Sequence, residues 1–263
     1  MIDKLILGRY VPGDSFLHRL DPRAKLVMGL LYIGILFLVD NWITTFLIIF
    51  FTFLVVVLTR IKVNVFIKGI RPLIWLILFT VVMQLLFTGG GEVYFQWGAI
   101  TISSFGIANG ALVFLRFTLL IVMSTVVTLT TKPMDLADAI SYLLKPFSYL
   151  RMPVQDIALM LTVSMRFIPT LMEETDKIMK AQRARGVDFG EGNIFEQMKK
   201  IVPVFIPLFV SSFNRAEDLA NAMEVRGYEG DAKRTRFRLL HWHGIDAIAF
   251  LVFIAVTVCL WLL

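Results

Sequence analysis

Long apolar runs constrain this chain more than any other feature. A bilayer hydrocarbon core of roughly 30 Å takes about 17 to 25 apolar residues in a helix. Five stretches qualify: 26–39 with its flanks, 43–59, 72–88, 107–130 and 245–263. Only Asp40-Asn41-Trp42 separates the first two, so they form a tight helical hairpin. With 57% hydrophobic and 17% charged residues and a mean hydropathy of +0.76, the chain does not describe a soluble enzyme, since soluble domains carry about a quarter charged residues. Its 23 Phe and 12 Met exclude disorder, and Cys259 is its single cysteine, which excludes a disulfide scaffold. A secretory signal peptide is not expected, because Asp3, Pro12, Asp14, Asp21 and Pro22 precede any long apolar run.

Charge placement orients the spans. Lys4, Arg9, Arg19, Arg23 and Lys25 precede the first, and Arg60, Lys62, Lys68 and Arg71 link the second to the third. The turn after the first span and the loop 89–106 hold no Lys or Arg. Of the 26 basic residues, only Arg116 falls inside a span, and all the others gather on one side. The positive-inside rule therefore makes the amino terminus, the 60–71 link and segment 131–244 cytoplasmic, and puts the carboxyl terminus outside. Trp42, Trp97, Trp242 and Trp261 fall near span boundaries, as an aromatic belt requires. The net charge of +6 and pI near 9.5 thus face anionic lipid. No nucleic-acid partner is expected, because no reading motif accompanies the charge.

The residues between Lys132 and Gly244 are too many for a connector, and they read as helices. Pro133-Met134-Asp135 opens a short one that Pro146 ends. Pro153 opens a long helix reaching Arg185, stopped by Gly186; Asn193 caps a second that reaches Arg226, stopped by Gly227. Pro169, Pro203 and Pro207 lie inside these helices, so both should be bent. Phe195, Met198, Val202, Phe205 and Phe209 recur at heptad spacing and predict helix-on-helix packing. The apolar half 157–172 is long enough to rival a span, but Gln155, Asp156 and Arg166 make insertion costly. Helices at or under the inner membrane surface fit better. The expected fold is an all-α membrane protein of about five transmembrane helices, with a cytoplasmic domain of long, bent coupling helices inserted before the last span. Its parts are 1–131, 132–244 and 245–263.

Superposing the two helix ends at an offset of 41 reveals an internal repeat. Asp176 matches Glu217, Ala181 matches Ala222, Arg185 matches Arg226 and Gly186 matches Gly227, with Asp188 and Glu229 continuing it. One reading is plain helix termination, with Arg complementing the dipole and Gly making the left-handed stop. The other is that each Arg is a docking fork for carboxylates and carbonyls of a partner, with small neighbours permitting close approach. Two equivalent ends invite two equivalent partners.

Catalytic chemistry is missing. There is no phosphate-binding Gly-x-x-x-x-Gly-Lys-Ser/Thr loop, so the chain itself should bind no ATP. Gly89-Gly90-Gly91 reads as a turn. His18, His241 and His243 are the only histidines, and no metal site is expected from them. No nucleophile elbow occurs. Arg116 is the one costly intramembrane charge; it is a functional candidate or a residue that holds the bundle together. A self-sufficient secondary carrier or channel is the alternative class, and the lack of carboxylates deep in the spans speaks against it.

The chain resembles the transmembrane coupling component of energy-coupling factor (ECF) transporters, the EcfT or CbiQ family. The resemblance rests on Tyr10-Val11-Pro12-Gly13-Asp14-Ser15, Leu17-His18-Arg19-Leu20-Asp21-Pro22-Arg23, Arg116, Leu129-Thr130-Thr131 and Pro133. It continues through Arg166-Phe167-Ile168-Pro169-Thr170, Glu173, Ala181-Gln182-Arg183-Ala184-Arg185-Gly186, Pro203, Pro207-Leu208 and 219–228. It implies a non-catalytic subunit of a prokaryotic cell-membrane importer of vitamins or other micronutrients. The implied partners are two ABC-type ATPases, which carry the ATP and Mg, and a small membrane-embedded substrate-binding subunit. The family's two Ala-Arg-Gly-type motifs, which enter grooves on the ATPases, map onto Ala184-Arg185-Gly186 and Val225-Arg226-Gly227, with Val225 where the family often has Ala. Asp176, Ala181, Glu217, Ala222, Pro169, Pro203 and Pro207 are the supporting residues of those helices.

Overall fold

The computed structural model describes residues 10–38, 41–97, 100–150, 152–190, 193–230 and 240–262. Helices dominate, as the apolar periodicity requires. They are α1 (Phe16–Arg19), α2 (Pro22–Leu38), α3 (Trp42–Thr59), α4 (Val63–Ile70), α5 (Ile74–Phe87), α6 (Ser104–Thr130), α7 (Pro133–Leu143), α8 (Val154–Ala184), α9 (Ile194–Val225) and α10 (Gly244–Leu262). Strands β1 (Val93–Trp97) and β2 (Ile100–Ser103) pair antiparallel between α5 and α6. The all-α membrane fold is borne out, and among the described residues this small hairpin is the one departure from it.

Contacts divide the chain into two units, one holding the described residues of 10–139 and 240–262, the other those of 140–230. In the first, Tyr32, Leu36, Ile48, Val55, Leu119, Met123, Val126 and Phe253 form a core between α2, α3, α6 and α10. Hydroxyls placed among apolar side chains need acceptors. Those of Thr52, Thr118, Thr125, Thr130 and Thr257 each donate to the carbonyl four residues back. Tyr32 Oη also meets Thr52 Oγ1 at 2.5 Å and joins α2 to α3. The outward faces stay apolar: Phe46, Phe50 and Phe53 on α3 and Trp75, Leu76 and Phe79 on α5 are exposed. An apolar exterior on an apolar core is what a lipid-solvated bundle requires.

Among the described residues, five helical runs are long and apolar enough to cross a membrane: Trp42–Thr59, Val63–Phe87, Ser104–Thr130, Val154–Ala184 and Gly244–Leu262. Three agree with the expected spans, and two findings revise the list. The expected span 72–88 is part of a helical run that begins at Val63 and passes through a 3-10 turn at Arg71–Leu73. Pro72 explains the turn, since it cannot donate to the helix before it. Alone, the 14 residues of α5 reach only about 21 Å, short of the hydrocarbon core, and the 3-10 turn at Arg71–Leu73 lengthens the run toward the basic link. The second revision is α8, which meets the length and apolarity of a span despite its charges. By contrast α2, at 17 residues, lies at the short end for a span. Of the expected tight turn between α2 and α3, Val39 and Asp40 lie outside the described residues. Its last part is held by Thr44 and Thr45, whose hydroxyls donate to the Asn41 carbonyl at 2.7 and 2.8 Å.

Candidate functional site

The second unit is built on α8 and α9, 31 and 32 residues long. Their ends close in the same way. At the α8 end, Val187 N–H donates to the Gln182 carbonyl at 3.0 Å and Gly186 N–H to Arg183 at 2.9 Å. At the α9 end, Tyr228 N–H donates to Met223 at 3.0 Å and Gly227 N–H to Glu224 at 2.9 Å. This nested pair of bonds is the Schellman closure, which needs a left-handed residue just past the cap. Gly186 and Gly227 supply it at φ +87° and +70°. Nothing lies within 4 Å of where a Cβ would stand on either glycine. Their backbone conformation demands glycine, while the space around both is open.

The caps are therefore Arg185 and Arg226, and both are exposed, as are Ala184 and Val225. Among the described residues neither guanidinium makes an ion pair or a side-chain hydrogen bond. Ala181, Ala222 and Glu217 are exposed and Asp176 is half-buried; Pro169 lies inside α8, and Pro203 and Pro207 inside α9.

The contacts between α8 and α9 establish their direction. Glu174 accepts from Arg215 Nη2 at 2.9 Å and from the Ser211 hydroxyl, and Arg215 lies over the Phe167 ring. Further along, Gln182 Nε2 donates to the Pro203 carbonyl at 3.3 Å. At the other end Val163 and Met223 line one cleft of about 440 Å³. Early residues of α8 thus meet late residues of α9, so the helices run antiparallel and carry their tips to opposite ends. Small residues Ser212, Ala216 and Ala220 line the cleft.

The repeat offset of 41 has a geometric counterpart here. Glu174 and Arg215 are themselves 41 residues apart, so equivalent positions of the two helices meet near the crossing. Arg185 and Arg226 each lie eleven residues beyond that pair. At about 1.5 Å per residue, each arm reaches roughly 17 Å from it. The two arms match in length, closure and terminal charge.

Three residues to which sequence reasoning assigned no role of their own hold this arrangement. Pro207 has no N–H, so the Pro203 carbonyl loses its helical donor; Gln182 of α8 replaces it. Glu174 and Arg215 form the ion pair at the crossing, and extending the repeat to opposite charges 41 apart would have found them. The heptad stripe requires a correction. Phe195, Met198, Val202, Phe205 and Phe209 are exposed and do not pack on α8. The helix pair meets instead through Glu174 with Arg215 and Ser211, Gln182 with the Pro203 carbonyl, and Arg215 over the Phe167 ring. The aromatic stripe, with Phe205, Phe209 and Phe213 in successive ring contact, faces outward.

In the first unit, Arg116 lies 5.6 Å from the Phe37 ring centroid, a cation–π contact joining α6 to α2. The amino-terminal signature is a polar knot at the Thr130 end of α6. Val11 N–H donates to the Leu129 carbonyl at 3.0 Å, and Lys25 Nζ to the Thr130 carbonyl at 2.9 Å. His18 Nε2 donates to the Val11 carbonyl at 2.9 Å. Asp246, in the first turn of α10, is 0% exposed. Its carboxylate accepts from Asp21 N–H at 2.7 Å and His243 N–H at 2.8 Å, binding α10 to the start of α2.

Comparison with known proteins adds to this geometry. A family model described as a cobalt transport protein, CbiQ, matches residues 13–237. The energy-coupling factor transporter transmembrane protein EcfT 1 of Listeria monocytogenes serotype 1/2a is 68% identical over 257 residues, 98% of this chain and 97% of that protein. The EcfT proteins of Lacticaseibacillus paracasei and of Streptococcus equi subsp. equi are 58% and 50% identical, covering 94% and 100% of this chain and 94% and 97% of their own lengths.

Proposed function

This chain belongs to the family of energy-coupling factor transporter transmembrane proteins, and from that premise we propose that it is the coupling subunit of an ATP-driven importer. Each arginine-capped tip docks into a groove on one of two cytoplasmic ABC-type ATPases, which bind ATP and Mg. The outward aromatic stripe of α9 holds a small membrane-embedded subunit that carries the vitamin or other micronutrient. The chain performs no catalysis of its own, and its basic side faces the cytoplasm.

The observation that carries this reading is the pair of equal arms with bare guanidinium ends. A rigid planar fork suits carboxylates and backbone carbonyls, and it keeps its charge at any physiological pH. Two ATPases that close on ATP shorten the distance between their grooves, which drives the arms against each other at the crossing. The Glu174–Arg215 pair and the Gln182 bond keep α8 and α9 from sliding. The motion then reaches the aromatic stripe, where differential contacts bias the orientation of the bound subunit.

The test is co-purification of Arg185→Glu with Arg226→Glu. The double variant is expected to insert normally and lose both ATPases, while each single variant loses one. Retention of both ATPases by the double variant would overturn the reading. Solute flux by the chain alone in vesicles would replace it with a self-sufficient carrier.

A further inference from the structure

We propose that the β1–β2 hairpin is a membrane-interface anchor, seated in the lipid headgroup layer at the bilayer edge that holds no Lys or Arg. It connects α5 to α6, both membrane-spanning runs, so its base lies at that edge. Val93, Tyr94 and Phe95 are 52%, 64% and 54% exposed. The pairing slips by one residue between Val93 and Phe95, but three successive strand residues do not share one face, so both faces of β1 present apolar or aromatic side chains. β2 alternates Ile with Thr and Ser and packs against α5, burying Ser103, but β1 carries no such alternation over Val93, Tyr94 and Phe95, as one wet face would require. These three exposed side chains call for a non-aqueous neighbour.

Lipid is the occupant that the surroundings support. The exposed hairpin residues continue the apolar faces of the flanking helices, where Phe87, Phe105 and Ile107 are exposed. Aromatic rings with a polar handle concentrate at membrane interfaces, and Tyr94 has one. Glu92, the one charged residue of segment 88–106, is exposed and limits insertion to the headgroup layer. That layer is only about 5 to 8 Å deep on each side, whereas a five-residue strand spans about 17 Å. The hairpin therefore lies along the surface.

Its attachment makes it an anchor rather than a loose loop. Ser103 Oγ donates to the Thr88 carbonyl at 2.8 Å and accepts from Gly106 N–H at 3.0 Å. Ser104 N–H donates to the Glu92 carbonyl at 2.9 Å, and Glu92 N–H to Ser104 Oγ at 3.2 Å. Depth imposed on the hairpin is thereby imposed on the ends of α5 and α6.

The test places a nitroxide on a single cysteine at Tyr94→Cys or Phe95→Cys, in a Cys259→Ser background. Both sites are exposed and tolerate a label. The full chain, alone and in its purified complex, is placed in nanodiscs of phosphatidylcholine and phosphatidylglycerol. Relative to a label at Asn193→Cys, which is exposed on the basic side, the ratio of oxygen to water-soluble nickel-chelate collision is expected to be several-fold higher, equally in both preparations. A ratio equal to that of the Asn193→Cys label would overturn the proposal. So would shielding that arises only in the complex, because that would make the hairpin a protein contact.

Discussion

At Gly186 and Gly227 a methyl group would meet nothing, yet its backbone would be strained, because both hold the left-handed conformation. Ala at either site is expected to weaken that helix closure by about 1 kcal/mol, and Asn by less. Faster amide exchange over the last turn, with the global unfolding midpoint unchanged, is the measurement that checks it. Asp246 is the opposite case, a buried carboxylate that serves two backbone donors on separate segments. Asp246→Ala strands both N–H groups and is expected to cost about 2 to 4 kcal/mol, with Asp246→Asn costing less because an acceptor oxygen remains. Thermal unfolding of the three proteins in one detergent tests the order. The Arg-Gly pairs were legible because one residue type carries each requirement. The burial of Asp246 was not, because its donors Asp21 and His243 come from opposite ends of the chain.

For the elements, the crossing of α8 and α9 is the quantity to perturb. The Glu174–Arg215 pair is partly exposed, so a double-mutant cycle to Ala is expected to show a coupling of about 1 kcal/mol. Gln182→Met leaves the Pro203 carbonyl without its donor and is expected to cost about 1 kcal/mol. That cost should largely vanish in a Pro207→Ala background, where residue 207 regains an N–H for the same carbonyl. Equal losses in both backgrounds, read from chemical denaturation, would refute the role given to Gln182. Helix existence and helix ends were readable from period, Pro and Gly. The outward turn of the Phe195–Phe209 stripe was not, since a heptad stripe states that a face is apolar without stating what covers it.

For the whole molecule, the placement of Lys and Arg predicts which surface each loop meets. A cysteine replacing Glu92 in a Cys259→Ser background is expected to react with an impermeant maleimide added to intact cells. One replacing Asn193 is expected to react only after the membrane is opened. The reverse pattern would invert the molecule. Spans, charge asymmetry and the 41-residue repeat were present in the sequence by itself, because transfer free energy, charge and helix termination are properties of single residues summed along a segment. Only the tertiary structure decided that α8 and α9 run antiparallel, that their tips stand at opposite ends of arms of equal length, and that a hairpin lies between α5 and α6. Those are relations between segments, set by which charged side chains and orphaned polar groups find partners across the gap.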